Sequence, residues 1–258
     1  MPSGTQKSSR FTRRILLLGA ALLVFALGYT AAWFAAARAL ENEVTATIKG
    51  MNGNGIRAYC EEPEARGYPF RIGLFCRSMY YENVSDGISI QAGAFRSAAN
   101  VYQPYHIVGE MDSPATVVLP HLVPLEARWQ SLRASAQLAD PLPERISVEG
   151  RNVEIFALEG DDAPLATVEA MQLHARRQGA DVEAATSFSG LLAGNEIASG
   201  LPLLEGRAQL SIEDGTQLIE AKLFDLHGLS TYIHELVIGL AGEEAGISLS
   251  GAVSIDED

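Results

Sequence analysis

Histidines and acidic side chains are the groups in this chain that could bind a metal or transfer protons. His227 and His234 are seven residues apart, and on a helix they would lie on one side. Glu235 is adjacent to His234, but two or three donors at such loose spacing make a poor metal site, and surface or capping roles are favoured for these histidines. The acidic clusters at 161–162, 243–244 and 256–258 fall at expected turns and a terminus. We therefore predict solvated charges there, rather than a paired acid–base site.

The familiar catalytic and phosphate-binding motifs are missing. The sequence contains no G-x-S-x-G, Walker A or H-E-x-x-H pattern. The glycine-rich stretch 50–55 follows no predicted strand, and it indicates a hinge. Arg176-Arg177 is a small basic spot that suits either a solvated strand end or contact with a phosphate or partner. We predict no catalytic residue, no metal ligand and no cofactor. A non-enzymatic role is favoured, and a hydrolase is the most distant alternative.

Cys60 and Cys76 are the only two cysteines, and 15 residues separate them. A disulfide between them is the favoured prediction, and it would stabilise the fold by about 3 kcal/mol in the chain-entropy model. The alternative is a pair of buried free thiols. A metal site would need more ligands, and a redox motif would have the C-x-x-C spacing.

Residues 15–37 carry no charge over 23 consecutive positions. As a helix this segment would be about 35 Å long, enough to cross a hydrocarbon core of about 30 Å. Tyr29 and Trp33 lie toward its far end, where aromatic side chains favour the membrane interface. The alternative is a cleaved signal peptide ending near Ala35-Ala36-Ala37. Both readings predict export of the body.

The distribution of charge gives the helix a direction. Positions 1–38 contain five basic residues and no acid, whereas the remainder has a net charge of −18. The positive-inside rule then places residues 1–14 in the cytoplasm and 38–258 outside. An exported body makes a disulfide chemically permitted. A body this acidic would repel nucleic acid, so no nucleic-acid partner is expected.

The body shows mainly the alternation of apolar and polar residues that is typical of β-strands. The clearest alternating segments are 72–76, 88–94, 208–212 and 247–255. Those at 146–148 and 153–155 suggest two strands joined by a turn at 149–152. Helical spacing occurs at 125–136, although 131–138 also alternates, and an amphipathic helix is possible at 217–229. The predicted fold is mainly antiparallel β, with many short hairpin strands, one N-terminal transmembrane helix and one or two short helices.

Four regions follow from these patterns. They are a basic cytoplasmic tail at 1–14, a transmembrane helix at 15–37, a stalk and hinge at 38–55 with helical character to residue 50, and a periplasmic β-rich domain at 56–258.

The motif Gly67-Tyr68-Pro69-Phe70-Arg71 combines a turn with two aromatic residues. Gly67 permits a tight turn, and Pro69 fixes its own φ and favours an extended Tyr68. Tyr68 and Phe70 would then point to one side. The motif predicts either a hairpin whose aromatics seed the core or a patch that meets a partner.

Several segments together resemble an alphaproteobacterial family catalogued as domain of unknown function 2125. The resemblance rests on residues 67–76, 92–98, 101–108, 129–132 and 142–147, together with the N-terminal apolar segment. It implies a membrane-anchored cell-envelope protein without an established activity. Members of that family often extend further at the C-terminus, so the resemblance also implies a shortened copy. The β-rich plan is similar in outline to AsmA-type envelope proteins, which are linked to lipid handling.

We therefore expect a single-pass protein of the bacterial inner membrane, anchored through residues 15–37. Its N-terminus would be cytoplasmic and its body periplasmic. The body is expected to bind lipid or another apolar ligand. The alternative is an interaction module or scaffold for an envelope protein partner.

Overall fold

The computed structural model describes residues 7–52, 55–140, 142–159, 163–194, 200–216, 230–243 and 245–254. These residues form one helix and a single antiparallel sheet of 16 strands that curls into a half-barrel, which confirms the mainly antiparallel β fold class with one N-terminal helix. The one or two short helices also predicted do not occur among the described residues. The elements are α1 Lys7–Met51, β1 Ile56–Cys60, β2 Glu64–Arg66, β3 Arg71–Cys76, β4 Met79–Asn83, β5 Ile88–Ala92, β6 Phe95–Asn100, β7 Gln103–Met111, β8 Ala115–Val118, β9 Leu125–Arg128, β10 Ser131–Gln137, β11 Arg145–Ala157, β12 Ala166–Gln178, β13 Asp181–Ala193, β14 Leu204–Ile212, β15 Ser230–Leu240 and β16 Gly246–Ser254.

Helix α1 continues in one piece beyond the apolar segment, over 45 residues to Met51. The segment is rich in leucine and alanine and contains no proline, so its intrinsic helix propensity is high. Its most apolar window is long and apolar enough to cross a membrane, and none of that window is buried by the rest of the protein. Leu22, Val24 and Phe25, for example, are each more than 65% exposed. This helix therefore presents an apolar surface that the described part of the protein leaves uncovered.

Strand β11 joins the parts of the sheet. Its N-terminal half pairs with β10 and its C-terminal half with β9, while its other edge pairs with β12. One arm of the sheet continues from β9 through β8, β5 and β4 to β1. The other continues from β10 through β7, β6 and β3 to β2. Strands β12 to β16 extend the sheet as an antiparallel meander, each pairing with the next.

The predicted Cys60–Cys76 disulfide is confirmed, with the two Cα atoms 5.4 Å apart. Cys60 ends β1 and Cys76 ends β3, so the bond links the last strand of one arm to the last but one strand of the other. Cys76 is fully buried, and backbone hydrogen bonds at Glu61 lie beside it. The two arms are therefore joined twice, by β11 at one side and by the disulfide at the other. Together they form a closed circuit of strands.

The structure decides one local question that the sequence leaves open and shows that one local prediction is wrong. Residues 125–136 form β9 and β10 rather than a helix, because both strands pair along their length with β11. The expected turn at 149–152 is instead part of the continuous strand β11. Asn152 has a φ of 47°, a left-handed conformation that asparagine tolerates, so it disturbs the strand without ending it. The helix predicted at 217–229, His227 and the acidic clusters at 161–162 and 256–258 lie outside the described residues, as does residue 244.

Removing the disulfide tests how far the circuit depends on it. We expect Cys60→Ala with Cys76→Ala to lower the free energy of unfolding by about 3 kcal/mol, since the unfolded chain regains the freedom of the closed loop. Denaturant unfolding of the full chain in detergent, followed by the fluorescence of its two tryptophans, measures this. Reductant should weaken the native protein and leave the double variant unchanged; equal stability of the two proteins would contradict the prediction.

Candidate functional site: the helix–loop contact and the two faces of the sheet

The loop 67–71 joins β2 to β3 through the tight turn that Gly67 predicts. Gly67 has a φ of 117°, and a Cβ added there would lie 2.9 Å from the carbonyl carbon of Arg71. The N–H of Arg71 donates to the carbonyl oxygen of Gly67 at 2.9 Å. Because both the conformation and the space require glycine, this loop has a defined shape.

The same loop packs against α1. The ring of Tyr68 meets Trp33 edge to face at 5.4 Å between centroids and stacks on Phe34 at 5.9 Å. Its hydroxyl shares a hydrogen bond of 2.8 Å with Thr30. Trp33 Nε1 donates to the carbonyl oxygen of Arg71 at 2.9 Å, and Trp33 is only 6% exposed. We call this the helix–loop contact, formed by residues 29–34 of α1 and loop 67–71.

Further contacts fix the helix along its length. The hydroxyl of Tyr29 donates to the carbonyl oxygen of Pro69, and Glu41 accepts a hydrogen bond from the N–H of Ala65 at 2.8 Å. Ala37, between them, is 5% exposed. From Tyr29 to Glu41 the helix rises about 18 Å. Contacts over that length hold α1 in one orientation relative to the sheet.

The two aromatics of the loop have different surroundings. Tyr68 is 49% exposed and contacts α1, whereas Phe70 is 68% exposed. Phe70 does not join the core, so the hypothesis of a hairpin whose two aromatics seed the core is wrong. The carbonyl oxygen of Phe70 accepts a hydrogen bond from the N–H of Val101 at 3.1 Å, which places the β6–β7 turn beside it. Tyr102 in that turn is 72% exposed.

One face of the sheet is apolar across ten strands, from β3 to β16. Residues that pair directly across neighbouring strands point to the same side, so the register defines rows of side chains. Two complete rows on this side are Ile72, Ala99, Ile107, Ala136, Ile146, Ala175, Ala184, Leu210, Ile233 and Gly251, and Cys76, Phe95, Met111, Leu132, Gly150, Met171, Phe188, Gly206, Ile238 and Ile247. A third row lies between these two and consists of Ser97, Gly109, Ala134, Val148, Leu173, Thr186, Ala208, Leu236 and Leu249.

This apolar face is only partly covered. The ring of Phe188 lies over Gly206, where a Cβ would be 2.6 Å from a ring carbon, so part of the surface is closely packed. Leu173 and Ile238 are nevertheless each 42% exposed, and Leu249 is 53% exposed. Among the described residues the helix that could cover a sheet is α1, and it contacts β1, β2 and β3. No other helix among the described residues covers the rest of the face.

The opposite face is polar. A row of alternating charge crosses it at Arg96, Glu110, Arg133 and Glu149, which are neighbours in the register. An open depression of about 720 Å³ lies further along the same face, and Arg176 in it pairs with Glu183 at 2.6 Å. Arg176 thus has a carboxylate partner within the sheet.

Two serine–histidine pairs lie in that depression. His174 Nδ1 is 2.9 Å from Ser147 Oγ, and His234 Nε2 is 2.7 Å from Ser211 Oγ. Catalysis by such a pair needs an acid to orient the histidine and free N–H groups to stabilise an oxyanion. Within the described ranges no carboxylate pairs with either histidine, no group of three metal-ligating residues occurs, and backbone N–H groups in these strands serve the sheet. The pairs act as cross-strand hydrogen bonds, and sequence reasoning missed them because their partners are 23 and 27 residues apart.

A family model described as an uncharacterized protein conserved in bacteria (DUF2125) matches residues 33–231. The chain belongs to this family. The matched DUF2125 region begins at Trp33 and contains loop 67–71, both cysteines and strands β1 to β14. No curated protein matches the chain, and no solved structure matches it either.

The helix–loop contact of this DUF2125 protein predicts coupling between its aromatic residues. We expect the double variant Trp33→Ala with Tyr68→Ala to lose less free energy of unfolding than the two single variants lose together. The difference, which is the coupling energy of the ring pair, should be about 1 kcal/mol. Denaturant unfolding of the four proteins in the double-mutant cycle measures it. Phe25→Ala combined with Tyr68→Ala is the matched control and should show no coupling; a cycle at Trp33 that adds within error would refute the contact.

The Arg207–Glu235 pair on the polar face predicts a dependence of stability on pH. Two hydrogen bonds from Arg207, at 2.7 and 3.0 Å, lower the pKa of Glu235 below its ordinary value of 4.5. A carboxylate whose pKa is lowered in the folded state stabilises the protein at pH values above its ordinary pKa. This stabilisation is lost as the pH falls through the pKa of the folded state. Arg207→Gln should therefore be less stable than the native protein near neutral pH, and the difference should shrink as pH falls below 4.5. Unfolding midpoints from pH 7 to about pH 3 test this; a difference that stays constant would contradict it.

Proposed function

We propose that this protein is anchored in a membrane by α1 and that its sheet binds the acyl chain of a lipid, or a similar apolar ligand, along the apolar face. The observation that carries the proposal is the set of three apolar rows with exposed leucine and isoleucine side chains. Covering such side chains is favourable by about 0.8 kcal/mol for each CH2 group removed from water. An extended hydrocarbon chain matches a face that is long and mainly apolar.

The uncovered apolar surface of α1 supports the anchor. The most apolar window of this helix lies outside the protein's own packing and needs another apolar environment. The basic residues before residue 15 favour a cytoplasmic N-terminus, and the Cys60–Cys76 disulfide suits an oxidising compartment. In a bacterium these features favour a single-pass protein of the inner membrane with its body in the periplasm.

The position of the apolar face supports a ligand that comes from the same membrane. The first row begins at Ile72 on β3, directly after loop 67–71. That loop contacts α1 at Trp33, near the end of the apolar segment. A lipid in the surrounding bilayer would therefore be close to the first residues of the face, whereas the polar face carries the alternating charges.

Two adjacent residues of β12 allow a matched test, because they lie on opposite faces and are both exposed. We expect Leu173→Gln to weaken binding of cis-parinaric acid about tenfold, since the ligand would cover an amide without a hydrogen-bond partner. His174→Gln changes the polar face and should leave the affinity unchanged. Fluorescence titration of the purified, delipidated full chain measures both affinities.

Native mass spectrometry of protein extracted gently from membranes provides the second measurement. Co-purified lipid that is reduced in Leu173→Gln and retained in His174→Gln would support the proposal. Equal loss in the two variants, or saturable binding to neither the native protein nor the variants, would refute the ligand site and leave the anchor unaffected.

A further inference from the structure

The length of α1 determines where a bilayer must end along it. A hydrocarbon core of about 30 Å takes about 20 helical residues, so a span that begins at residue 15 ends near residue 34. The helix–loop contact, however, already begins at Tyr29 and includes Trp33 and Phe34. From residue 15 to residue 28 the helix rises only about 20 Å, which is too short for the core. A bilayer spanned by α1 therefore reaches the level of loop 67–71.

We infer that loop 67–71 and the adjoining β6–β7 turn form a membrane-seating surface, with Phe70 and Tyr102 inserted into the lipid interface on the side of the sheet. The inference rests on the proposed anchoring by α1 and extends it to the body. The occupant is the headgroup and upper acyl region of the leaflet that surrounds the outer end of the helix.

The exposure of the aromatic rings supports this seat. Phe70 and Tyr102 are 68% and 72% exposed, and Tyr105 in β7 is 70% exposed. The hydrogen bond between Val101 and Phe70 holds the two segments together, so that they form one surface. Aromatic side chains with an apolar body favour the membrane–water interface, tyrosine and tryptophan above all. The side chains that the protein leaves bare are thus of the kind that an interface accepts.

The distribution of charge supports the same surface. Residues 67–71 and 101–105 contain no acidic residue, and their one charged side chain is Arg71. The region after residue 38 has a net charge of −18 and would be repelled by anionic lipid. The surface next to α1 can therefore approach a bacterial membrane without burying a carboxylate.

The far end of the body offers a matched reference. The N–H of Val84 donates to the carbonyl oxygen of Gly55, just beyond the end of α1 at Met51, and Val84 is 54% exposed. From Trp33 to Met51 the helix rises about 27 Å, so the turn at Val84 lies well away from the seating surface. Phe25, 72% exposed in the apolar part of α1, serves as the reference for lipid.

The test places a nitroxide label at each of three positions in the full chain, using Phe25→Cys, Phe70→Cys and Val84→Cys. The native cysteines are joined in the disulfide and do not react with the label. Each protein is reconstituted in vesicles of phosphatidylethanolamine and phosphatidylglycerol. Electron paramagnetic resonance then compares collisions with oxygen, which enters lipid, and with a water-soluble nickel chelate.

We expect collisions with the nickel chelate to be severalfold fewer at position 70 than at position 84, and oxygen collisions to be raised toward those at position 25. If position 70 behaves like position 84 while position 25 is in lipid, the membrane-seating surface is refuted and the anchor stands. If position 25 is as accessible to the nickel chelate as position 84, the proposed anchor itself is refuted. Circular dichroism of each labelled protein confirms that the sheet is intact.

Discussion

The register of the antiparallel sheet is the constraint on which the other features depend. Neighbours across the strands share a face, so one consistent register gathers apolar side chains on one side and charges on the other. Strand β11 has the largest part in this arrangement, because it pairs with β9, β10 and β12. A slip of one residue at β11 would turn its apolar residues toward the charged row and break the continuity of both faces.

The sheet forms its apolar and polar faces around a small buried core. The buried apolar residues of its strands are mainly alanines, with Phe156 and Val182 as the larger members and the disulfide at one end. A single layer buries less apolar area than two packed layers, so cross-strand pairs and the covalent link contribute a larger share of its stability. Because the sheet is a single layer, no second layer of the described residues packs against its apolar face. The way the protein is stabilised is thus connected with the ligand that we propose for this face.

The sequence predicts those parts of the fold that depend on local patterns. Alternation identifies strands such as β14 and β16, and the charge-free run of residues 15–37 identifies the apolar part of α1. Local pattern does not decide at 125–136, where four apolar residues have helical spacing while 131–138 also alternates, and pairing with β11 decides between helix and strand. The contact between Trp33 and Arg71 joins residues 38 apart, and nothing in either segment alone indicates its partner. The sequence singles out both segments, but it does not predict that they contact each other.

The one-piece character of α1 has a mechanical consequence. The helix is continuous from Lys7 to Met51 and is hydrogen-bonded to the rest of the protein over several turns. We therefore expect the helix and the sheet to tilt together as one rigid body. A transmembrane helix answers a change in bilayer thickness by changing its tilt. If α1 spans a membrane as proposed, its contacts with the sheet would pass such a tilt to all of the strands, so the angle at which the apolar face meets the membrane would follow the thickness of the bilayer.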